Sequence, residues 1–383
     1  MNMQSRCEHL IERHGNGDLG RRGFLGLLGM AAASVGLAGA GIAGLTRHAQ
    51  AADGIRFDGW GGVAQQAMDR LVLRPFTEKT GTAVRQGSFG SMEELLTKVR
   101  AGSPGDYNLA SLNTRLAYKQ FYDFGLCEAV DETRIPRLAT MDRRAIDGFK
   151  ILSDGKLCAV PSILTTVGIL YNRDLLPSAE VAQKGADILL DSRFRGKISG
   201  ENNWLKRIWY GALQTGQNPN AIANMDAVWD KIRQSRQMVI KYWSSGAEQM
   251  SLLANGTAVV SDGWGVRAFH LRKQGFPIDI AFPNGIYTDT GGILVLKGTP
   301  MDAAYEMFDI LLRPEVQFVL AEDEGNTPLY DPTKVEIPAS LRANLPGYDE
   351  NGTLRLGTFV DPVYWTQNAI AWQRRYQQVM ARG

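Results

Sequence analysis

The chain has 383 residues, with 42 basic and 40 acidic side chains and a formal net charge of +2. A nearly neutral chain gives no electrostatic reason to expect a nucleic-acid partner, because phosphate binding depends on clustered Lys and Arg. No such cluster stands out in the sequence.

The first predicted element is an export signal in residues 1–51. Arg21-Arg22 precedes an uncharged stretch over residues 23–46, and Ala49-Gln50-Ala51 has the small-x-small pattern of a cleavage site. This order is typical of a twin-arginine signal peptide and predicts a periplasmic protein that starts near Ala52. The stretch is also long enough for a membrane anchor, which needs about 20 residues. Its many Gly and Ala residues lower its hydrophobicity and favour cleavage.

Removal of residues 1–51 changes the composition of the chain. Five arginines and three acidic residues leave with it, so 37 basic and 37 acidic residues remain and the net charge is zero. Of four histidines only His270 remains, which excludes a His-rich zinc or copper site and leaves one candidate for His-dependent hydrolysis. Cys127 and Cys158 also remain, and an exported chain permits either a disulfide or two free thiols.

The 332 residues from Ala52 onward exceed one ordinary hydrophobic core, so we expect two lobes. Short apolar segments alternate with helical ones, which predicts an α/β fold with mostly parallel strands. The predicted strands are 55–60, 82–85, 107–110, 157–160, 167–171, 256–262, 278–283 and 292–297. The predicted helices are 64–78, 91–102, 115–124, 301–312, one that opens at Pro314, and one within 359–380.

Two helices carry more specific signals. Ser91 followed by Glu94 three residues later has the capping-box pattern, so Ser91 is the expected N-cap. The last helix contains Tyr364, Trp365, Trp372 and Tyr376. Large aromatics mostly serve packing, so we expect them to dock this helix on the body of the protein.

Seven segments line up in order with one family. They are Gly59-Trp60-Gly61-Gly62, residues 74–81, residues 91–102, Cys158-Ala159-Val160-Pro161, residues 168–172, Asp262-Gly263-Trp264, and Thr288-Asp289 ahead of Leu296-Lys297-Gly298. The chain resembles the periplasmic solute-binding proteins of ABC importers, in the branch that includes spermidine/putrescine-binding proteins.

The resemblance implies a type II-like periplasmic-binding-protein fold, α/β and two-lobed, with the ligand in a cleft between the lobes. Its expected boundaries are residues 52–162 plus about 268–315 for the first lobe, and 163–267 plus about 316–383 for the second. It also implies a membrane permease as partner, a monomer, and neither cofactor nor metal. Loops at the carboxyl ends of parallel strands converge on a crevice, which gives this architecture a physical basis.

The resemblance also supplies candidate ligand contacts. Trp60 follows the first strand and matches an aromatic that stacks on the ligand. The polar candidates follow later strands, where turn formation is the alternative role. They are Ser88, Ser91, Ser111, Asn113, Asn202 and Asn203, with Trp204 beside them.

Asp262, Trp264, Tyr287 and Asp289 complete the predicted site. Two carboxylates with stacking aromatics suit an elongated organic cation, because each charged end is paired and the methylenes lie on ring faces. The alternative role for either carboxylate is a helix cap or a structural ion pair.

The motifs identify the family more specifically than they identify the ligand. Polyamine binders usually carry Ser or Thr with Asp or Tyr after the first aromatic, whereas this chain has Gly61 and Gly62. The sequence also lacks the adjacent tyrosines of ferric binders. A polyamine or another organic amine is the leading hypothesis, and an amino acid, a thiamine-like compound or an organic acid the alternative. A secreted enzyme finds little support, since Gly-x-Ser-x-Gly and His-Glu-x-x-His are absent from the sequence.

Overall fold

A computed structural model describes residues 54–283, 287–349 and 351–381. The predicted signal peptide, residues 1–51, lies outside the described residues, as does the alternative of a membrane anchor there. Within the described ranges, every helix is too short or too polar to cross a membrane.

The strands belong to one mixed sheet with the order β2-β1-β3-β9-β4-β7-β5-β6, and β8 and β10 also pair with β4. Their bounds are β1 Gly54–Gly59, β2 Ala83–Ser88, β3 Leu109–Leu112, β4 Ala159–Asn172, β5 Ile198–Glu201, β6 Val239–Trp243, β7 Val260–Trp264, β8 Ile278–Ala281, β9 Thr288–Val295 and β10 Thr327–Pro328.

The helices connect these strands and cover the sheet. Their bounds are α1 Gly62–Met68, α2 Arg74–Thr80, α3 Met92–Ala101, α4 Arg115–Asp123, α5 Arg143–Lys150, α6 Ser178–Lys184, α7 Trp204–Gln214, α8 Met225–Met238, α9 Gly246–Ala254, α10 Gly265–Lys273, α11 Met301–Leu311, α12 Pro314–Glu324, α13 Ala339–Asn344 and α14 Pro362–Ala381. A π-helical segment, Asp69–Leu73, joins α1 to α2, and short 3-10 helices lie at Glu132–Arg134, Pro136–Thr140, Gly185–Leu190 and Ser192–Phe194.

The α/β class is confirmed, but the expectation of mostly parallel strands is wrong. Parallel pairing is limited, among the described strands, to β1 with β2 and β3 and to β5 with β6 and β7. The central strands β4 and β9 run antiparallel to each other and to their other neighbours. Alternation of strands and helices along the sequence does not reveal strand direction where the chain crosses between two parallel halves.

Strand β4 makes that crossing. The sequence predicts two strands here, 157–160 and 167–171, whereas the structure has one strand of 14 residues. Its first half pairs with β9, with a register shift between Pro161 and Ile163, and its second half pairs with β7 and β8. Polar residues interrupt the apolar pattern, but Ser162, Thr165 and Thr166 are buried. Prediction from the apolar periodicity of the sequence therefore gives two strands where the structure has one continuous strand.

Two large hydrophobic cores flank the crossing, and a smaller one includes Leu170 of β4. The first core includes Phe57 of β1, Leu109 of β3, Val160 of β4 and Phe308 of α11. The second core includes Ile169 of β4, Ile198 of β5, Trp209 of α7 and Trp365 of α14. Two cores on the two halves of one sheet fit the two-lobed fold, and the lobe boundaries given above stay a prediction.

Two predictions about individual helices are also confirmed. Ser91 caps α3, and its side chain accepts a hydrogen bond from the Glu94 backbone N–H at 3.1 Å. In α14, Trp365, Trp372 and Tyr376 are buried in the second core, so this helix docks through its aromatics. Cys127 and Cys158 are both free thiols.

Candidate functional site

A cavity of about 800 Å³ lies where the two halves of the sheet meet; we call it the cleft. Its lining comes from segments that directly follow strands β1, β2 and β3 on one side and β5, β6 and β7 on the other. These strands are parallel within each set, so their carboxyl ends converge on the cleft. Residues in the middle of β4, the first half of β9, and helices α12 and α14 complete the wall.

The cleft lining includes nine of the twelve residues predicted from the sequence. They are Trp60, Ser91, Ser111, Asn113, Asn203, Trp204, Trp264, Tyr287 and Asp289. Ser88, Asn202 and Asp262 lie outside the lining. Ser88 is exposed at the end of β2, and Asn202 accepts a hydrogen bond from the Tyr376 hydroxyl at 3.1 Å.

Aromatic rings form a large part of the wall. Trp60 packs edge-on against Phe89 with ring centroids 4.6 Å apart, which fixes its position after β1. Tyr287 packs edge-on against Trp209 at 4.9 Å, and burial keeps the pKa of its hydroxyl well above the usual range. Flat apolar faces of this kind can hold methylene chains or an ammonium group.

Asp262 forms a structural ion pair, which was the alternative to ligand binding for this carboxylate. It is fully buried at β7, and its Oδ2 pairs with Arg207 of α7. Its Oδ1 accepts a hydrogen bond from the Glu201 backbone N–H at 3.0 Å. Both carboxylate oxygens are therefore occupied by protein, and we revise the prediction that Asp262 contacts a ligand.

Asp289 differs because it is buried, lines the cleft and is weakly paired. Its Oδ1 accepts hydrogen bonds from the backbone N–H groups of Arg115 at 3.0 Å and Thr290 at 2.9 Å. The Arg115 Nε atom lies 3.7 Å from Oδ1 and itself has no hydrogen-bond partner among the described residues. Burial raises the pKa of Asp289 to about 6 and lowers that of Arg115, so the pair does not offset its own desolvation.

A second carboxyl group lies in the cleft at the end of α12. Glu324 accepts a hydrogen bond from Asn326 at 3.1 Å, and burial raises its pKa to about 7. The His270 ring lines the cleft beside it, with Nε2 3.0 Å from the Glu324 backbone oxygen. Burial lowers the pKa of His270, which favours its neutral form.

One arginine, Arg267, also lines the cleft. It lies in the first turn of α10, and its Nη1 donates to Gln249 Oε1 at 2.6 Å. Its guanidinium carbon is 4.6 Å from the centre of the Trp243 ring. Partial burial lowers the pKa of its guanidinium.

Other polar groups of the cleft lack partners among the described residues. Buried Asn113 Oδ1, Gln65 Oε1 and Thr166 Oγ1 have none, and all three residues line the cleft. Buried polar atoms are normally hydrogen-bonded, so these atoms are available to a polar ligand. Asn203 differs, because its side chain caps α7 by accepting from the Lys206 backbone N–H at 3.2 Å.

Sequence reasoning did not select several residues of the wall. They include Gln65, Ser162, Glu201, Trp243, Arg267, His270, Gln317, Glu324 and Trp365. Glu201 and Trp243 end strands β5 and β6, so exact strand ends would have found them. Arg267 lies three residues after Trp264, at the start of the helix that follows β7. Trp365 was assigned only to packing, whereas it lies in the second core and in the wall.

The described residues hold no group of three or more His, Cys, Asp or Glu side chains placed to bind a metal ion. The cleft can interact with a ligand through hydrogen bonds, charged groups and aromatic faces. Such a lining suits an organic solute with both polar and apolar parts.

Comparisons with known proteins give relatives named for binding small solutes. A gamma-aminobutyric acid-binding protein of Pseudomonas aeruginosa is 23% identical over 335 residues, which covers 84% of this chain and 90% of the relative. The spermidine/putrescine-binding periplasmic protein of Escherichia coli K12 is 21% identical over 258 residues, 66% of this chain and 72% of the relative.

The fold also matches solved structures. An ABC transporter substrate-binding protein from Bradyrhizobium japonicum USDA 110 superposes with a TM-score of 0.70 at 19% identity, covering 86% of this chain and 100% of that one. Residues 72–332 match the family model described as bacterial extracellular solute-binding protein. On this match, over more than half of its length, the chain belongs to the bacterial extracellular solute-binding protein family.

Proposed function

We propose that the protein captures a small organic amine in the cleft and delivers it to the membrane permease of an ABC importer. The observation that carries this proposal is a cavity of about 800 Å³ whose wall combines aromatic rings with the carboxyl groups of Asp289 and Glu324. Relatives named for polyamines and for gamma-aminobutyric acid all take ligands with an amino group.

The two carboxyl groups support an ammonium ligand. Burial raises the pKa of Asp289 to about 6 and that of Glu324 to about 7, so ionisation of either is less favourable in the free protein than in water. An ammonium group placed beside them supplies the missing counterion. Trp60, Trp204, Trp264 and Tyr287 then provide faces for the carbon chain.

Binding rather than catalysis is the role that we assign to the cleft, and we propose that the protein acts as a monomer. Closure of the two lobes would bury the solute and change the surface presented to the permease. No step of this cycle needs a bond to break.

The test is to identify the bound solute. Mass spectrometry on the denatured exported protein should reveal a small amine that co-purifies with it. A thermal-shift screen with putrescine, spermidine, agmatine, 4-aminobutyrate, other amino acids and organic acids should give hits among the amines. A ligand at about 100 times its Kd should add about 2.7 kcal/mol to the free energy of unfolding. A hit recovered in chemically altered form would favour an enzyme instead.

An amino acid is the second candidate. The observation that favours it is Arg267, a cation in the wall of the same cleft as the two carboxyl groups. A diamine has no group to place beside a guanidinium.

For export we infer the twin-arginine route, with cleavage before Ala52. Support comes from Arg21-Arg22, the uncharged stretch and the small-x-small pattern in the sequence. Replacement of both arginines by Lys should leave the precursor inside the cell, because a receptor reads this pair as an address. The control is the double change Arg6→Lys and Arg13→Lys, which should leave export intact. Normal periplasmic levels of the Arg21-Arg22 variant would contradict this route.

A further inference from the structure

The position of Arg267 is fixed by uncharged neighbours. Gln249 presents its Oε1 to the Arg267 guanidinium at 2.6 Å. Gln249 is itself fully buried, and its Nε2 donates to Ser261 Oγ at 3.0 Å and to the Asp262 backbone oxygen at 2.9 Å. The Trp243 ring lies on one side of the guanidinium at 4.6 Å. Strand β7 and the end of β6 thus hold this side chain in place in the cleft wall.

The carboxylates nearest to Arg267 already have partners. Glu201 pairs with Lys206, and Asp262 pairs with Arg207. None of the ion pairs in the described part of the chain includes Arg267. Arg267 is partly buried, and a charge withdrawn from water gains from a counterion, which this guanidinium does not have among the described residues.

The start of α9 lies beside Arg267. Gly246 is the first residue of α9, and Ser244, Ser245 and Gly246 all line the cleft. The amino end of a helix carries partial positive charge. A Cβ atom at Gly246 would come within 2.8 Å of Arg267 Nε, so the guanidinium lies directly against this glycine. Glu248 in the first turn of α9 accepts a hydrogen bond from the Ser244 backbone N–H at 2.9 Å and pairs with Lys241, so the unpaired charge at this place in the cleft is that of Arg267.

The groups that favour a cation lie elsewhere along the wall. His270 follows Arg267 by three residues on α10, just under one helical turn or about 4.5 Å along the axis, and contacts the Glu324 backbone. Asp289 approaches from β9. Arg267, Asp289 and Glu324 thus lie in the wall of one cleft.

We propose that Arg267 binds a carboxylate of the solute, so that the protein is specific for an amino acid whose ammonium group contacts Asp289 or Glu324. The guanidinium fork matches a carboxylate in two parallel hydrogen bonds. This inference rests on the proposed function for the amine end of the ligand and adds to it the specificity against diamines.

The test uses ligands matched in length. Isothermal titration calorimetry compares 4-aminobutyrate with 4-aminobutanamide and putrescine, which keep the amine and the four-carbon chain but lack the carboxylate. Glutarate serves as the anion without an amine. The wild-type protein should bind 4-aminobutyrate about 30-fold or more tightly than the amide, the fold-change expected of a buried charged hydrogen-bonded contact.

Arg267→Gln should reduce this preference to within about threefold while binding of the amide and of putrescine stays within about threefold of wild type. Gly246→Ala should reduce it partly, because the new methyl group displaces the guanidinium without removing its charge. The control is Arg272→Gln on the same helix, an arginine that pairs with Asp279 and lies outside the cleft lining. Because the readout is a ratio of affinities on one sample, partial unfolding of a variant does not mimic it.

Each outcome decides the matter. If Arg267→Gln weakens 4-aminobutyrate and putrescine by the same factor, Arg267 is only structural and this inference is wrong, while the proposed function stands. If the wild type binds no amine but binds glutarate through Arg267, the amine assignment fails and the carboxylate role survives. If the wild type binds putrescine or the amide at least as tightly as 4-aminobutyrate, this inference is wrong, while the proposed function stands.

Discussion

The regions around Asp262 and Asp289 look alike in sequence but serve different purposes in the structure. Both carboxylates are buried beside the central strands, with 0% and 2% of their surface exposed. Asp262 has both oxygens occupied, by Arg207 and by the Glu201 backbone, and lies outside the cleft lining. Asp289 lines the cleft, and its nearest guanidinium nitrogen is 3.7 Å away. The role of a buried carboxylate therefore depends less on how deeply it is buried than on how closely a charged partner approaches it.

The largest expected effect is on the stability of the Asp262 region. Asp262→Asn should lower the free energy of unfolding by about 3–5 kcal/mol, because it leaves the buried Arg207 without its counterion. Urea unfolding followed by circular dichroism measures the change. Asp279→Asn, which removes the partner of the partly exposed Arg272, is the control and should change stability by less than about 1 kcal/mol. A stable Asp262→Asn protein with weakened ligand binding would show that Asp262 serves binding and not stability.

The second-largest effect is expected on the affinity for the ligand, at Asp289. Asp289→Asn should weaken an amine ligand by about 2 kcal/mol, or about 30-fold in Kd, because the ammonium group loses a charged partner. Calorimetry with the identified solute checks this. Asp123→Asn, on the exposed surface of α4 and paired only with Lys119 among the described residues, should leave the Kd unchanged. Equal affinity of both variants would assign Asp289 to structure alone.

The pH dependence of binding sharpens the same contrast. In the free protein burial raises the pKa of Asp289 to about 6 and of Glu324 to about 7, so these groups take up protons as the pH falls from 8 to 5. An ammonium ligand binds the ionised forms, so acid must weaken binding, by about tenfold or more between pH 7 and pH 5. Calorimetry across this range measures it. Glu324→Gln should remove the part of the dependence centred near pH 7, and a flat profile in the wild type would count against both carboxyl groups.

The smallest effect is expected at an aromatic wall. Trp60→Ala should weaken the ligand by about 1 kcal/mol, because only ring contact is lost. Phe124→Ala is the matched control, since this ring is half exposed and stacks on Arg100 away from the cleft. A loss at Trp60 as large as that at Asp289 would mean that stacking, rather than charge, dominates recognition.

Much of the architecture could be predicted because its causes are local. Ser91 and Glu94 mark the start of α3, Pro314 opens α12, and the apolar segments before Trp60 and Trp264 are strands. The site was predictable to the extent that it follows strand ends, where polar and aromatic residues of a parallel sheet converge. Trp60 and Trp264 are of this kind, and both line the cleft.

The sequence by itself determined the family, the α/β class and many of the segments that face the cleft, because periodicity, caps and strand ends depend on neighbouring residues. Only the tertiary structure decided that β4 is a single crossing strand, that Arg207 on α7 neutralises Asp262, and that Arg267 lies in the cleft wall with no ion pair to any described residue. Asp262 and Arg207 are 55 residues apart, and no local pattern encodes such a pairing. Electrostatic roles depend on which charges folding brings together, so they follow from distance in space and not from position along the chain.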